Sequence, residues 1–411
     1  MPARPLARIP VPPGPDGVAG LLEPLSLALS GAGPAITPIP TISPTTSSEY
    51  VAQLLRATRP ADSSAPLEHD EIAVVLATSG STQNPKGVLH SASTLTALSK
   101  AAMGATKDAP QWIAALPVTS MGGLNVLIRA LESGLPPVAV ASVGGAGPFT
   151  PEVFVRAHQL ACERSTDVRV SLVAAQLRRL LADDEGVRAL QQCAQILVGG
   201  GPLPLATAEA AQAADITITT TYGATETAGG CVFNGKPLDG VRVTIDPRDS
   251  QILLSGPMIA LGYRCEPELT ARQFANGDYR TGDLGSFDSV LVISGRADDV
   301  VTVNGVNVAV NAVENALSSV DAVQSCAVIA GEDGSGERQL FAAVTLFDAS
   351  ADLTEPNELR DRFRSSIRTA LGAAAVPRYF AFLDTLPMLP NGKVDRLTLT
   401  SLIGDGVTWQ R

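Results

Sequence analysis

From residue 72 to about residue 241, short apolar runs at 113–116, 138–141, 170–173, 194–198 and 216–221 alternate with stretches of helical character. Strand then helix, repeated, predicts a mainly parallel α/β sheet, because neighbouring parallel strands need a crossover between them. In an open sheet of that kind ligands bind at the carboxyl ends of strands. Polar segments directly after apolar runs are therefore where chemistry is to be sought.

The first such segment is the most telling. The run Val74-Val75-Leu76-Ala77 empties into Thr78-Ser79-Gly80-Ser81-Thr82-Gln83-Asn84-Pro85-Lys86-Gly87. Glycine lets backbone N–H groups approach an anion, four hydroxyls donate, and Lys86 adds a point charge, so the loop has the makings of a polyphosphate cradle. It is not a Walker A loop, which needs Gly-Lys followed by Ser or Thr. Composition alone would favour a surface loop.

Further islands follow. Gly199-Gly200-Gly201-Pro202 comes after Ile196-Leu197-Val198, and Tyr222-Gly223-Ala224-Thr225-Glu226 after a threonine-rich run. A flat Tyr222 beside bare glycine backbone could sandwich a purine, Thr225 could reach a phosphate, and Glu226 could hold magnesium through hard oxygens. Asp283, in Tyr279-Arg280-Thr281-Gly282-Asp283, could accept both hydroxyls of a ribose; Gly295-Arg296-Ala297-Asp298-Asp299 and Pro390-Asn391-Gly392-Lys393 complete the series. Each alone reads as a turn. Their number and order make coincidence a poor explanation.

Composition narrows the partners. A net charge of −11 with no Lys/Arg cluster longer than a pair argues against nucleic acid and anionic membrane, so an anionic ligand needs a local site. Cys162, Cys193, Cys231, Cys265 and Cys326 show no CxxC or metal spacing and read as reduced, mostly buried thiols of a cytoplasmic protein. His69, His90 and His158 are as scattered, which excludes an evident zinc site or Ser-His-Asp triad and leaves them as surface or core residues. Arg4 and Arg8 are followed by prolines instead of an apolar run, so no signal peptide is read. No uninterrupted stretch of eighteen apolar residues suggests membrane insertion.

The expected architecture is α/β: a large N-terminal domain over 1–296 with mainly parallel sheets and a small β subdomain after about Val241, then a mobile α+β C-terminal domain over 297–411. Residues 1–70, rich in Pro, Ser and Thr, read as a loop-rich edge with helices near 20–30 and 47–56. Near the end, 323–330 and 340–347 read as strands. Leu359, Phe363, Ile367 and Leu371 share one helical face between an N-cap at Thr354 and a stop at Gly372.

Taken together, the motifs from 72 to 396 resemble the adenylate-forming superfamily of acyl-CoA synthetases, peptide-synthetase adenylation domains and luciferases. That resemblance implies that Thr78, Ser79, Gly80, Ser81, Thr82 and Lys86 bind ATP phosphates, and that Gly200, Gly201 and Tyr222 surround adenine. It places Thr225 at the phosphate, Glu226 on magnesium, Asp283 on the ribose, Arg296 on ribose or phosphate, Asp298 at a hinge, and Lys393 as the catalytic lysine. A narrower resemblance, to the compact actinobacterial o-succinylbenzoate–CoA ligases of menaquinone biosynthesis, rests on the short segment before the loop, on 171–177, and on 227–233 followed by 237–241. It implies an acid–thiol ligase using ATP, Mg2+ and CoA on a small carboxylic acid, and leaves a homodimer open. An acid pocket is expected from Thr119, Ser120, Ser171, Val173, Gly200, Ala224 and Thr227. Arg129 could meet a second carboxylate or could face solvent. Gln83 stands where the family loop usually has glycine, Thr119-Ser120 where related ligases show histidine or an aromatic, and Asn311 reads as a helix N-cap replacing a frequent proline. Alternatives are another acid–CoA ligase, a carrier-loading adenylation enzyme, or a noncatalytic nucleotide-binding relative; retention of Glu226 and Lys393 argues against the last.

Overall fold

The computed structural model describes residues 4–60, 62, 64–78, 85–104, 108–297, 300–303, 305–333, 337–346, 356–388, 394–403 and 409. Ser79, Gly80, Ser81, Thr82, Gln83, Asp298, Thr354 and Lys393 lie outside the described residues.

The first 70 residues depart from the expected loop-rich edge. Leu6–Val11 and Ala35–Pro40 pair in parallel, flank the helix Pro15–Ser30, and extend a five-stranded sheet through Ile72–Ala77, Gly87–Ser91 and Gly262–Tyr263. Proline is normally excluded from inner strands because it cannot donate to the ladder. Here the ladder from Ala35–Pro40 to Ile72–Ala77 consists of the single pair Ile36↔Val74, before Pro38 and Pro40 are reached. Arg4 ties this edge down by donating to the carbonyls of Ala28, Gly33 and Ile72. The helix expected near 47–56 is found at Ser48–Thr58, with the Ser47 side chain accepting from Tyr50 N–H.

The second sheet carries the expected alternation. In spatial order its strands are Val138–Ala139, Gln111–Ala114, Val168–Leu172, Gln195–Val198 and Thr219–Ala224, all parallel, followed by the antiparallel Gly229–Phe233 and Lys236–Pro237. Buried aliphatic cores lie on its two faces, one around Trp112, Leu124 and Leu127 and one around Phe154, Val170 and Leu177. All its parallel strands point their carboxyl ends to one edge. After Val241 the chain turns to an antiparallel sheet of Arg242–Ile245, Gln251–Ser255, Asp278–Phe287 and Phe274–Ala275, with Leu291–Arg296 paired to Asp278–Phe287.

From Val300 the chain builds a third core of its own. A hairpin, Val300–Val303 with Val306–Ala309, leads into the helix Val310–Ser318. Val323–Glu332 runs antiparallel to Arg338–Leu346, which pairs in parallel with Tyr379–Phe382. The helix Pro356–Leu371 buries Leu359, Phe363 and Ile367 against that sheet, while Leu371 is exposed and Gly372 ends the helix at φ 87°. The N-cap of Val310–Ser318 is Ala309. Asn311 is thus a first-turn residue, not the cap that the sequence suggested.

Candidate active site

Four strands of the second sheet deliver their carboxyl ends to one cleft of about 540 Å³. Gln195–Val198 opens into Gly199–Gly201, Thr219–Ala224 into the turn Thr225–Thr227, Val168–Leu172 into Val173, and Gln111–Ala114 into the segment that ends at Thr119 and Ser120. Thr119, Ser120, Ser171 and Val173 line the cleft, as do Gly200, Gly201, Thr225 and Arg296. Gly200 adopts φ 81°, a left-handed conformation that glycine reaches without strain. A side chain at Gly223 would collide with the Gly229 carbonyl, so only glycine lets the two strands approach there.

Two expected pocket residues are placed otherwise. Thr227 is fully buried and its hydroxyl accepts from Ala224 N–H at 2.8 Å and lies 2.7 Å from Gly229 O. Thr227 and Ala224 build the turn that presents Thr225 and Glu226; neither lines the cleft. The Ser120 hydroxyl donates to Pro117 O, a local bond that fixes the entry to the helix Met121–Ser133.

Arg129 sits on that helix and does not face solvent. It is 4% exposed, stacks its guanidinium 5.0 Å from the Trp112 ring centre, and lines the cleft. Its Nε is buried without a partner, and no hydrogen bond to the side chain is made among the described residues. Burial holds its pKa down to about 10, with Arg169 adding repulsion against attraction from Glu132. A buried guanidinium lacking a hydrogen-bond acceptor is costly and would gain from an anion entering the cleft. One turn earlier Asn125 donates to Ala228 O at 2.7 Å, and its carbonyl oxygen is likewise unpartnered.

The other nucleotide-type residues make two local sets of contacts. Thr78 N–H donates to Lys86 O at 2.8 Å and Lys86 N–H to Thr78 Oγ1 at 3.0 Å, closing the base of the loop between Ile72–Ala77 and Gly87–Ser91. Tyr222 donates its hydroxyl to Asp283 Oδ2 at 2.7 Å, and Arg296 donates to Asp283 Oδ1 at 3.2 Å. This pins the tyrosine ring and bridges the second sheet to the antiparallel one. Burial and the Asp283 charge push the Tyr222 phenol up, so it remains a donor.

Glu226 is 7% exposed, and its Oε1 accepts from Tyr263 at 2.8 Å. Two residues outside the ligand-type motifs, Tyr263 and His90, complete this corner. His90, fully buried, contacts the Thr225 carbonyl through Nε2 at 2.8 Å, and its other ring nitrogen lies 3.1 Å from Thr94 Oγ1. The carbonyl can only accept, so Nε2 carries the proton. Burial lowers the pKa of this ring to about 4, which keeps it neutral. The available signal was position: His90 lies on the strand leaving the glycine- and hydroxyl-rich loop, four residues after Lys86.

Elements after Val300 also reach the cleft, through Asn311, Glu314, Val394 and Arg396. Arg396 pairs with both oxygens of Glu314, and Arg178, on the helix Ala174–Leu181, donates to Gln324 O. The described residues contain no group of three or more His, Cys, Asp and Glu side chains able to hold a metal ion, and no helix among them is long and apolar enough to cross a membrane.

Known proteins similar to this chain share its fold and sequence pattern. The chain is 35% identical over 394 residues to a probable 2-succinylbenzoate–CoA ligase of Mycobacterium tuberculosis, covering 95% of this chain and 96% of that protein. It is 29% identical to the 2-succinylbenzoate–CoA ligase of Geobacillus kaustophilus over 81% of this chain and 70% of the relative. Its fold is that of o-succinylbenzoate CoA synthetase from Bacillus subtilis, solved with the acyl-adenylate intermediate OSB-AMP (TM-score 0.77, 21% identity, 99% and 89% of the two chains). It is also that of the amide bond synthetase McbA from Marinactinospora thermotolerans (TM-score 0.77, 23% identity, 98% and 90%). The sequence pattern of AMP-binding enzymes matches residues 30–263 and that of the AMP-binding enzyme C-terminal domain matches 312–393; the chain belongs to the AMP-binding enzyme family.

Proposed function

We propose that the chain is an ATP-dependent acid–CoA ligase converting o-succinylbenzoate to o-succinylbenzoyl-CoA through an acyl-adenylate, a step of menaquinone biosynthesis. The observation that carries the choice of acid is Arg129: a buried cation without a hydrogen bond, lining the cleft. An acid with two carboxylates needs a donor for the one that is not activated, since burying it unpaired costs several kcal/mol. Small or polar walls at Ser171, Val173, Gly200 and Thr119 leave room for an aromatic ring.

In the first half-reaction a carboxylate oxygen attacks the α-phosphorus of ATP and the bond to pyrophosphate breaks. Lys86, the hydroxyls of Thr78, Ser79, Ser81 and Thr82, and Gly80 bind the phosphates and offset their charge. Thr225 donates to the α-phosphate. Gly200, Gly201 and Tyr222 bracket the adenine, and Asp283 with Arg296 holds the ribose. Glu226 suits magnesium: its Oε2 takes no hydrogen bond among the described residues, and a single carboxylate with nucleotide phosphates and water is a normal ligand set for this ion. A bound magnesium ion would offset charge on the departing pyrophosphate.

In the second half-reaction the CoA thiolate attacks the acyl carbon, the C–O bond breaks, and AMP leaves carrying the bridging oxygen. Residues 1–296 act as the nucleotide and acid unit; 297–411 close to deliver Lys393 to the reacting phosphate for adenylation, then rotate about Asp298 to present another face for the CoA step. Val394, the residue after Lys393, lines the cleft, which supports that delivery. All five cysteines are free thiols, which supports a cytoplasmic setting.

Pyrophosphate release across a panel of acids, with and without CoA, tests the reading. Release that depends on o-succinylbenzoate, and thioester only when CoA is added, is expected. A preference for a monocarboxylic acid would overturn the substrate, and thioester formation on a carrier protein but not on CoA would overturn the acceptor.

A further inference from the structure

The strand Gly262–Tyr263 is the last member of the first sheet and runs antiparallel to the strand that leaves the phosphate-type loop, with Tyr263 opposite Val88. That register puts Tyr263 between two elements carrying charge. Its hydroxyl donates to Glu226 Oε1 at 2.8 Å, and the face of its ring lies 5.3 Å from Lys86 Nζ. The ring is held from several sides. Tyr263 N–H donates to Thr270 Oγ1 at 2.9 Å, Phe274 meets the ring edge-on at 5.2 Å, and the residue is buried. The neighbouring backbone is tied to the same carboxylate residue, since Ala260 N–H donates to Glu226 O at 2.9 Å.

One aromatic side chain thus touches both the lysine of the anion loop and the carboxylate suited to a metal. A cation over an aromatic face is attracted by the ring, and a phenol donating to a carboxylate forms a charge-assisted bond that fixes its rotation. Holding Oε1 leaves Oε2 as the oxygen to be presented. Groups that orient a metal-binding carboxylate from behind typically matter 10- to 100-fold in metal affinity.

We propose that Tyr263 is a positioning residue that couples Lys86 to Glu226, fixing the carboxylate for a divalent cation and the lysine for phosphate in one side chain. The proposal rests on the reading of Glu226 as the magnesium carboxylate. Tyr263→Phe removes the hydroxyl and keeps the ring, hence the Lys86 contact and the packing. In the full-length protein, Mn2+ binding in the presence of α,β-methylene-ATP, followed by electron paramagnetic resonance, should weaken about tenfold. Affinity for the nucleotide without divalent cation should stay within about twofold of wild type, a split that general loosening of the loop would not produce. In a Glu226→Gln background the same tyrosine substitution should change Mn2+ affinity by less than about twofold, because the bond it removes has lost its charged acceptor. Unchanged Mn2+ affinity in Tyr263→Phe, with wild type binding the metal–nucleotide pair, overturns the coupling alone. Failure of wild type to bind Mn2+ with nucleotide overturns the coupling and the reading of Glu226 together.

Discussion

Replacing Arg129 by methionine should separate substrate choice from folding. Burial brings the guanidinium pKa down from its ordinary value to about 10, so keeping the charge inside costs on the order of 3 kcal/mol. The group is still protonated at neutral pH. An entering carboxylate would recover that cost, which sets the expected scale: about a hundredfold in kcat/KM for o-succinylbenzoate, since about 1.4 kcal/mol is tenfold. Methionine fills most of the volume and keeps contact with Trp112, so the thermal midpoint should hold or rise, as when a buried charge is replaced by an apolar side chain. Linkage has a definite sign: the unfolded chain binds this proton more tightly, so the wild-type penalty is present below about pH 10 and is relieved as pH rises above it. The assay is acyl-CoA formation with o-succinylbenzoate and benzoate, run beside differential scanning calorimetry. A similar loss on both acids, or a large drop in melting temperature, would refute a carboxylate role and make Arg129 a structural residue.

Lys393→Ala should lower adenylate formation by about a hundredfold, the scale of losing one strong electrostatic donor, while thioester formation from preformed acyl-adenylate is largely kept; equal loss in both steps contradicts its role. Asp298→Pro should spare adenylation and impair the CoA step, because fixing φ at the proposed hinge obstructs the second arrangement. His90 is buried neutral with its pKa lowered to about 4, so as pH falls from about 6.5 toward 4 the unfolded state takes up its proton first and stability drops. His90→Gln, which can still donate to the Thr225 carbonyl, should make the melting temperature less sensitive to pH over that window, and an identical pH profile would contradict the assignment.

The sheet that carries the cleft was legible because its strands are short, continuous apolar runs separated by helix-length segments, the pattern of strands buried on both faces. The loops that hold ligand-type residues were legible for a related reason: glycine and hydroxyl residues directly after a buried strand have few structural uses. The N-terminal strand pair was hidden because Pro10, Pro38 and Pro40 read as loop, and only the three-dimensional register shows that the ladder to Ile72–Ala77 ends before the second and third of them. Arg129 was ambiguous because a single cation on the helix Met121–Ser133 reads as its solvent face until Trp112 is placed beneath it. Tyr263 and Glu226 are 37 residues apart in the chain, and their hydrogen bond follows from the pairing of Gly262–Tyr263 with Gly87–Ser91, which no local pattern encodes. Thr227 was misplaced because a hydroxyl beside a glutamate in a turn looks equally suited to ligand and to backbone, and the Ala224 N–H claims it.

The proposed reaction stands or falls on activation of the acid at the α-phosphate of ATP. o-Succinylbenzoate labelled with 18O in the carboxylates, incubated with the protein, ATP, Mg2+ and CoA, decides it by mass spectrometry of the products. One labelled oxygen is expected in AMP for each thioester formed and none in pyrophosphate. Label in orthophosphate alongside ADP, or thioester formed with unlabelled AMP, would contradict it.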